Sequence, residues 1–278
     1  MRHLSPRDLA DALGVSESSL KRWVDAGKID AFRTEGGHRR IAMAEAIRFI
    51  RETRAPIARP ELLGLPAAVV AERAGSTRLL DFLLDGDVEG ARGFLFARYI
   101  GGSPIAELAD GPIREAMHSL GELWQHAQRG IFIEHRATDA CLLAIASLRS
   151  MLEPPANAPV ALGAGPEDDP YIIAPFLASM VTTVAGFRTI NLGPDTPLAA
   201  LQHAVHHHRP HMIWMSASSP IHSARARAIA KWLGSIEDAT VVVGGRHGEA
   251  LTGGQRRVRY LATMTELAEL AGQLAPPR

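Results

Sequence analysis

Four short apolar runs in the second half of the chain constrain its fold more than any other feature: APVALGAG, FRTINLG, HMIWMSAS and ATVVVGG. Each is long enough for one buried strand, and helical stretches of crossover length separate them. Parallel neighbours require such crossovers, so the pattern predicts a doubly wound, Rossmann-like parallel sheet with helices on both faces. RVRYLAT offers a fifth strand and TELAELAGQLA a closing helix. Open parallel sheets bind ligands beyond the carboxyl ends of their strands, where the loops GPEDDPYIIAP, LGPDTP, SASSP and GGRHG should gather. Within them Gly193, Ser216, Ser218, Gly244 and Gly245 allow close backbone approach or hydrogen bonding.

The opening residues carry a different pattern. In LSPRDLADALGV the apolar positions Leu4, Leu9, Ala12 and Leu13 recur at helical spacing, Ser5 is placed to cap, and Pro6 suits the first helical position, which predicts a helix from about Pro6 to Leu13. Gly14 and Val15 turn the chain, Ser16 caps a second helix, and Leu20, Trp23 and Val24 share its inner face. After Gly27 the sequence alternates around Gly36-Gly37, as a tight two-stranded ribbon does, so the segment predicts a winged helix-turn-helix. Ser18, Lys21 and Arg22 on the second helix are placed to reach base edges or phosphates. Arg33, His38, Arg39 and Arg40 on the wing are placed to neutralise flanking phosphates.

Charge follows the same division. The net charge is zero, yet residues 1–60 hold twelve Lys and Arg against eight Asp and Glu, leaving 18 against 22 for the remainder. A basic N-terminal segment suits a polyanion, and double-stranded DNA is the expected partner. No run of eighteen apolar residues and no signal core occurs, so a cytoplasmic protein without a membrane partner is expected. The single Cys141 forms no intramolecular disulfide and no thiolate cage. His203 and His207 stand four apart on a helix, but no Cys or acidic cluster completes a set, and the reading is a solvated helix face with no metal.

Between these segments, RAPIARPELLGLP has three prolines and reads as a linker. From about Ala67 to Leu152 the periodicity is helical, with breaks at Gly75-Ser76, Asp85-Gly86, Gly101-Gly102-Ser103-Pro104 and Arg129-Gly130, which predicts an antiparallel four-helix bundle. The expected class is therefore α plus α/β, with domains at 1–58, 59–156 and 157–278. Trp124 lies near the end of the third main helix, and Glu134 and His135 should open the fourth after Gly130.

Two resemblances follow from these motifs. Residues 4 to 50, ending in GGHRRI before a helix, resemble the DNA-binding domain of the MerR family of transcription regulators. Trp124 followed ten residues later by Glu134-His135, with the C-terminal loops, resembles light-dependent cobalamin regulators of the CarH and LitR type. That resemblance implies a bundle whose Trp124, Glu134 and His135 cover the upper face of the ligand. It places Asp169 at the acidic position of the first sheet loop and Tyr171 where the family carries its cobalt-ligating histidine. Ala174 stands where a glycine lets the cofactor tail enter the sheet, and Gln125 where several members have a second histidine.

A neutral phenol is a poor cobalt ligand, whereas a ferric tetrapyrrole accepts a phenolate. The implied ligand is therefore a tetrapyrrole, with cobalamin lacking its lower axial histidine and bilin or haem as alternatives. The resemblance further implies a homo-oligomer, dimer or tetramer, whose assembly on operator DNA responds to ligand and to light. The alternative is a ligand-independent regulator whose cobalamin-like domain serves dimerisation or antirepressor docking. A corrinoid-carrying enzyme has a similar sheet and bundle, but the winged helix and Tyr171 speak against it, and no enzymatic activity is expected.

Overall fold

The computed structural model describes residues 3–66, 78–123 and 128–275. The chain forms two compact units, one of Met1–Pro104 with Gly111–Met151, the other of Ile105–Asp110 with Leu152–Arg278.

The first unit begins with β1 (His3–Leu4) and α1 (Pro6–Leu13). Helix α1 starts where it does because Ser5 and Asp8 satisfy each other's backbone: Ser5 Oγ accepts from Asp8 N at 3.1 Å, and the Asp8 carboxylate accepts from Ser5 N at 3.0 Å. The Ser5 hydroxyl and then its N–H hold the Asp8 carboxyl below its ordinary value. Gly14 ends the helix at φ 68°, a left-handed position that suits glycine. Ser16 caps α2 (Glu17–Asp25) by accepting from Ser19 N at 3.1 Å. Leu9, Ala12, Leu13 and Leu20 are buried between the two helices, as their spacing requires.

Strands β2 (Phe32–Arg33) and β3 (Arg39–Ala42) form the wing, with Phe32 opposite Arg40 and Arg33 opposite Arg39. Strand β1 pairs with β3 on its other side, an addition that a two-residue strand gives no periodicity to predict. Helix α3 (Met43–Thr53) follows, and Trp23 packs on its Phe49 with ring centroids 5.3 Å apart, a packing role rather than a DNA contact. The Pro-rich linker is not loose. Ala58 N and Arg59 N both donate to Ala12 O, and Leu63 and Leu65 are buried, so the linker closes the core of the helix-turn-helix.

Helices α4 (Leu79–Asp85), α5 (Val88–Ile100), α7 (Arg114–Leu123) and α8 (Gln128–Arg149) pack as the bundle. Gly86, at φ 71°, makes the expected break between α4 and α5. Gly130 makes none: α8 runs through it, because one glycine inside 22 residues costs only about 1 kcal/mol and tertiary packing offsets it. Glu134 is therefore the seventh residue of α8 rather than its opening residue. Arg51 of α3 joins the bundle: its guanidinium stands 3.8 Å over the Tyr99 ring and donates to Tyr99 O and, at 3.3 Å, to Ser103 O. Tyr99 O, which also accepts from Gly102 N at 3.0 Å, lies in the last turn of α5, where a cation is favoured. Burial pushes the Arg51 guanidinium down from its ordinary range.

The second unit is a five-stranded parallel sheet, ordered β5-β4-β6-β7-β8, with β4 (Val160–Ala164), β5 (Arg188–Asn191), β6 (Met212–Ser216), β7 (Thr240–Gly244) and β8 (Val258–Leu261). The crossovers are α9 (Ile173–Ala185), α10 (Leu198–His208) and α11 (Ser223–Gly234), and α12 (Met264–Leu274) closes the unit. Alternation divides the sheet's side chains. Leu162, Ala164, Met215, Val241 and Val243 pack with Leu201, Ile229 and Leu233 of α10 and α11. Gly163, Trp214 and Val242 face the other way, the side on which α9 packs against β4 and β6. Each fully buried Leu, Ile or Val contributes roughly 1.5–3 kcal/mol, so the two faces account for the unit's cohesion. Short helix α6 (Ile105–Leu108) packs on α9 and α12, and the Asp110 carboxylate accepts from Met264 N and Thr265 N at 2.9 and 2.8 Å. The wide π turn Ala109–Ile113, with Pro112 inside, follows it.

Among the described residues no helix is long and apolar enough to cross a membrane.

Candidate functional site

In the first unit, α1, α2 and the wing enclose a basic hollow of about 380 Å³ lined by Ser5, Pro6, Arg7, Glu17, Lys21, Gly37, His38, Arg39 and Arg40. Four of the seven residues expected to contact DNA are gathered here: Lys21, His38, Arg39 and Arg40. Ser18, Arg22 and Arg33 are exposed but outside the lining. Lys21 pairs with Glu17 at 2.8 Å and Arg39 with Asp25 at 2.7 Å, both exchangeable surface pairs that a phosphate can replace. Lys21 holds the Glu17 carboxyl below its ordinary value.

Arg22 donates to Ser19 Oγ at 3.1 Å. The wing turn is fixed by Gly37 at φ 77° and by Thr34 N donating to His38 O at 3.0 Å, which sets His38 beside the arginines. Arg7 was missed from sequence. Its signal was its place in the first turn of α1, where the helix dipole disfavours a cation and only an anion facing it would reverse the balance.

In the second unit, the loops after β4, β5, β6 and β7 converge at the carboxyl end of the sheet, and Asp169 ties the first three together. Its side chain is 1% exposed. One oxygen accepts from Tyr171 N at 3.1 Å, and the other accepts from Ser218 N at 2.5 Å and Ser219 N at 3.1 Å. Asp169 O, Asp195 and Gly165 extend the stitching: Asp195 N donates to Asp169 O at 2.9 Å, and Gly165 N to Gly193 O at 2.8 Å. Arg225 pairs with Glu167 at 3.4 Å and with Asp168, and these bonds raise the Arg225 pKa, the Asp168 hydrogen bond most.

The expected ligand-loop residues take distinct roles. Ser216 is buried at the end of β6, and Ser218 contributes its backbone N–H to Asp169. Gly245, at φ 87°, lies so close to Ala217 O that a Cβ would collide with it, and Gly244 O accepts from Ala217 N at 2.9 Å. Gly193 is open on its Cβ side and serves its turn, with Asn191 Oδ1 accepting from its N–H at 3.1 Å. Asp169, Ser216, Ser218, Gly244 and Gly245 are thus brought together. The Tyr171 side chain is 55% exposed, and with Ile172 and Leu192 it gives this end of the sheet an apolar rim.

Glu134 and His135 lie on α8 in the first unit. Glu134 is half-buried and its Oε1 accepts from Thr138 Oγ1 at 2.9 Å, while His135 is exposed with Nε2 3.5 Å from Glu134 Oε2. Trp124 lies outside the described residues, as do Gln125 and His126. Among the described residues no group of three or more His, Cys, Asp or Glu is placed to hold a metal ion, and His207 and His208 contact each other edge to face at 4.6 Å.

A histidine-ligated corrinoid does not fit these residues. Tyr171, at the position the resemblance gives to a ligating histidine, has its ring in solvent, and the Asp169 carboxylate, which would orient a ligating ring, is spent on three backbone amides.

Residues 4–54 match the helix-turn-helix domain family. No curated protein matches the sequence. Among solved structures, the chain is similar to the monomethylamine corrinoid protein of Methanosarcina barkeri, with 14% identity, TM-score 0.53, and 70% of this chain and 96% of that chain covered. The methanol:cobalamin methyltransferase complex MtaBC from Methanosarcina barkeri (14%, TM-score 0.39, 93% and 92% covered) also matches. So does a cobalamin-binding protein from Desulfitobacterium hafniense DCB-2 (16%, TM-score 0.36, 74% and 98% covered); both superpose too loosely to carry an argument. The chain joins a helix-turn-helix domain to the fold of a corrinoid protein.

Proposed function

We propose that the protein is a DNA-binding transcription regulator of the MerR type whose α/β domain is its sensory part, taking a planar tetrapyrrole at the carboxyl end of the sheet. One observation carries this reading. A basic helix-turn-helix hollow, built from Arg7, Lys21, His38, Arg39 and Arg40, shares its chain with a fold otherwise seen in a corrinoid protein. The hollow supplies phosphate contacts, while Ser18 and Arg22 on the exposed face of α2 read bases.

Ligand control requires only that the tetrapyrrole bind one state of the protein better than another, whether that difference shows in DNA affinity, in homo-oligomer assembly or on illumination. Trp124, Glu134, His135 and Tyr171 are the residues assigned to ligand contact, with haem, bilin and corrinoid as the candidate ligands. Replacing Arg39 and Arg40 by Ala should lower the slope of log affinity for duplex DNA against log salt by about 2, one per lost phosphate contact. An unchanged slope removes the wing from DNA binding.

A second reading is favoured by Asp169: with its carboxylate committed and Tyr171, Ile172 and Leu192 exposed, the rim suits a protein partner in a ligand-independent regulator. Visible spectra of the protein purified from a host supplied with cobalamin, haem and biliverdin separate the two, since only the sensory reading gives a bound chromophore.

A further inference from the structure

The sheet face beneath α9 holds a feature the ligand loops do not explain. Gly163 and Trp214 are direct partners on the two central strands, β4 and β6. Trp214 is 2% exposed, and its indole covers Gly163 so closely that a Cβ there would collide with the ring. Central parallel strands are ordinarily filled by branched aliphatic side chains, and a glycine there leaves a bare strip of backbone on which a flat ring can lie. Here the flat ring is the protein's own. The indole N–H is buried without an acceptor, so what the position selects is the volume of the ring and not its hydrogen bond.

This face of the sheet leads toward the ligand loops. Gly163 is the fourth residue of β4, and two residues beyond it on the same face comes Gly165, whose N–H is tied to the loop after β5. Trp214 shares its face with Ser216, which pairs with Gly244 at the carboxyl edge. An aromatic base hanging from a ligand bound at that edge would have to enter between the sheet and α9, along Ser216 and onto Gly163. Trp214 already occupies that space.

We infer that Trp214 is a built-in stopper, and that it sets the specificity of the sensory domain: the ligand is a planar tetrapyrrole without an aromatic base on a flexible tail. The inference rests on the sensory reading above and narrows it. Cobinamide and cobalamin share one corrin ring and differ in the nucleotide tail, which makes them suitable probes.

In visible-band titrations of the full-length protein, cobinamide should bind at least about tenfold more tightly than cobalamin. Trp214→Ala should bring the two affinities together, while Trp214→Phe, which keeps a ring over Gly163, should preserve the preference. Equal affinities in the parent protein, or tighter binding of cobalamin, overturn the inference. A second arm needs no tetrapyrrole. Free 5,6-dimethylbenzimidazole should raise the Tm of Trp214→Ala and leave that of the parent unchanged, because only the variant has the cavity. An equal response in both overturns the stopper. If cobinamide, cobalamin, haem and biliverdin all fail to bind while this arm succeeds, the sensory reading fails and the filled slot stands. Trp214→Leu takes the place of Trp214→Ala in both arms if the smaller residue prevents folding.

Discussion

Asp169 has the position of an acidic ligand-orienting group and the environment of a structural clamp. Its carboxylate receives three N–H bonds from two loops some fifty residues apart in sequence. Asp169→Ala leaves three amides without their charged acceptor, and the expected loss is about 3 kcal/mol in urea unfolding, with faster hydrogen exchange at Ser218 and Ser219. A loss below about 1 kcal/mol would assign the clamp to the loops themselves. Sequence showed the acid but not its use, because the partners are backbone amides and no residue type marks them. Trp214 was hidden for a related reason: within HMIWMSAS it reads as one more apolar strand residue, and only the register opposite Gly163 reveals what it covers. Ser5, by contrast, was legible, since a capping box is local. The depressed Asp8 carboxyl adds stability above its ordinary value of 3.8 that is lost as pH falls through the folded value. Asp8→Asn should therefore lower stability at neutral pH and flatten its decline below about pH 4, as followed by thermal melts across pH.

Elements with a strong local pattern were legible nearly to the residue: α1 at Pro6–Leu13, the wing around Gly36-Gly37, the strands and closing helix of the sheet. What failed to show was whatever tertiary packing decides. Gly130 breaks helices in isolation but sits inside α8, Pro112 sits inside a π turn, and β1 is two residues long. The Pro-rich linker read as a spacer, yet Ala58 and Arg59 bond to α1. Element joints are equally non-local. Arg51 ties α3 to the carbonyls at the end of α5, so Arg51→Ala should cost about 2 kcal/mol of unfolding free energy, whereas Lys28→Ala, exposed after α2, serves as the control. An effect no larger than the control would show that the apolar contact between the helices suffices.

At the scale of the molecule, the chain resolves into two units, and the helix-turn-helix and the bundle share the first. A DNA-binding surface and a bundle riveted through Arg51 can move as one body, so a change in the bundle has a direct mechanical route to the recognition helix α2. The second unit has its own core, a carboxyl edge closed by Asp169 and the Trp214 indole packed over Gly163. Joining them makes physical sense if the occupancy of one biases the other, and such a coupling is typically 1–3 kcal/mol. The direct measurement is the affinity of the full-length protein for duplex DNA, by fluorescence anisotropy at fixed salt, with and without an added tetrapyrrole. Such a coupling gives affinities that differ by at least about fivefold. Superimposable isotherms, at full chromophore occupancy, would contradict it.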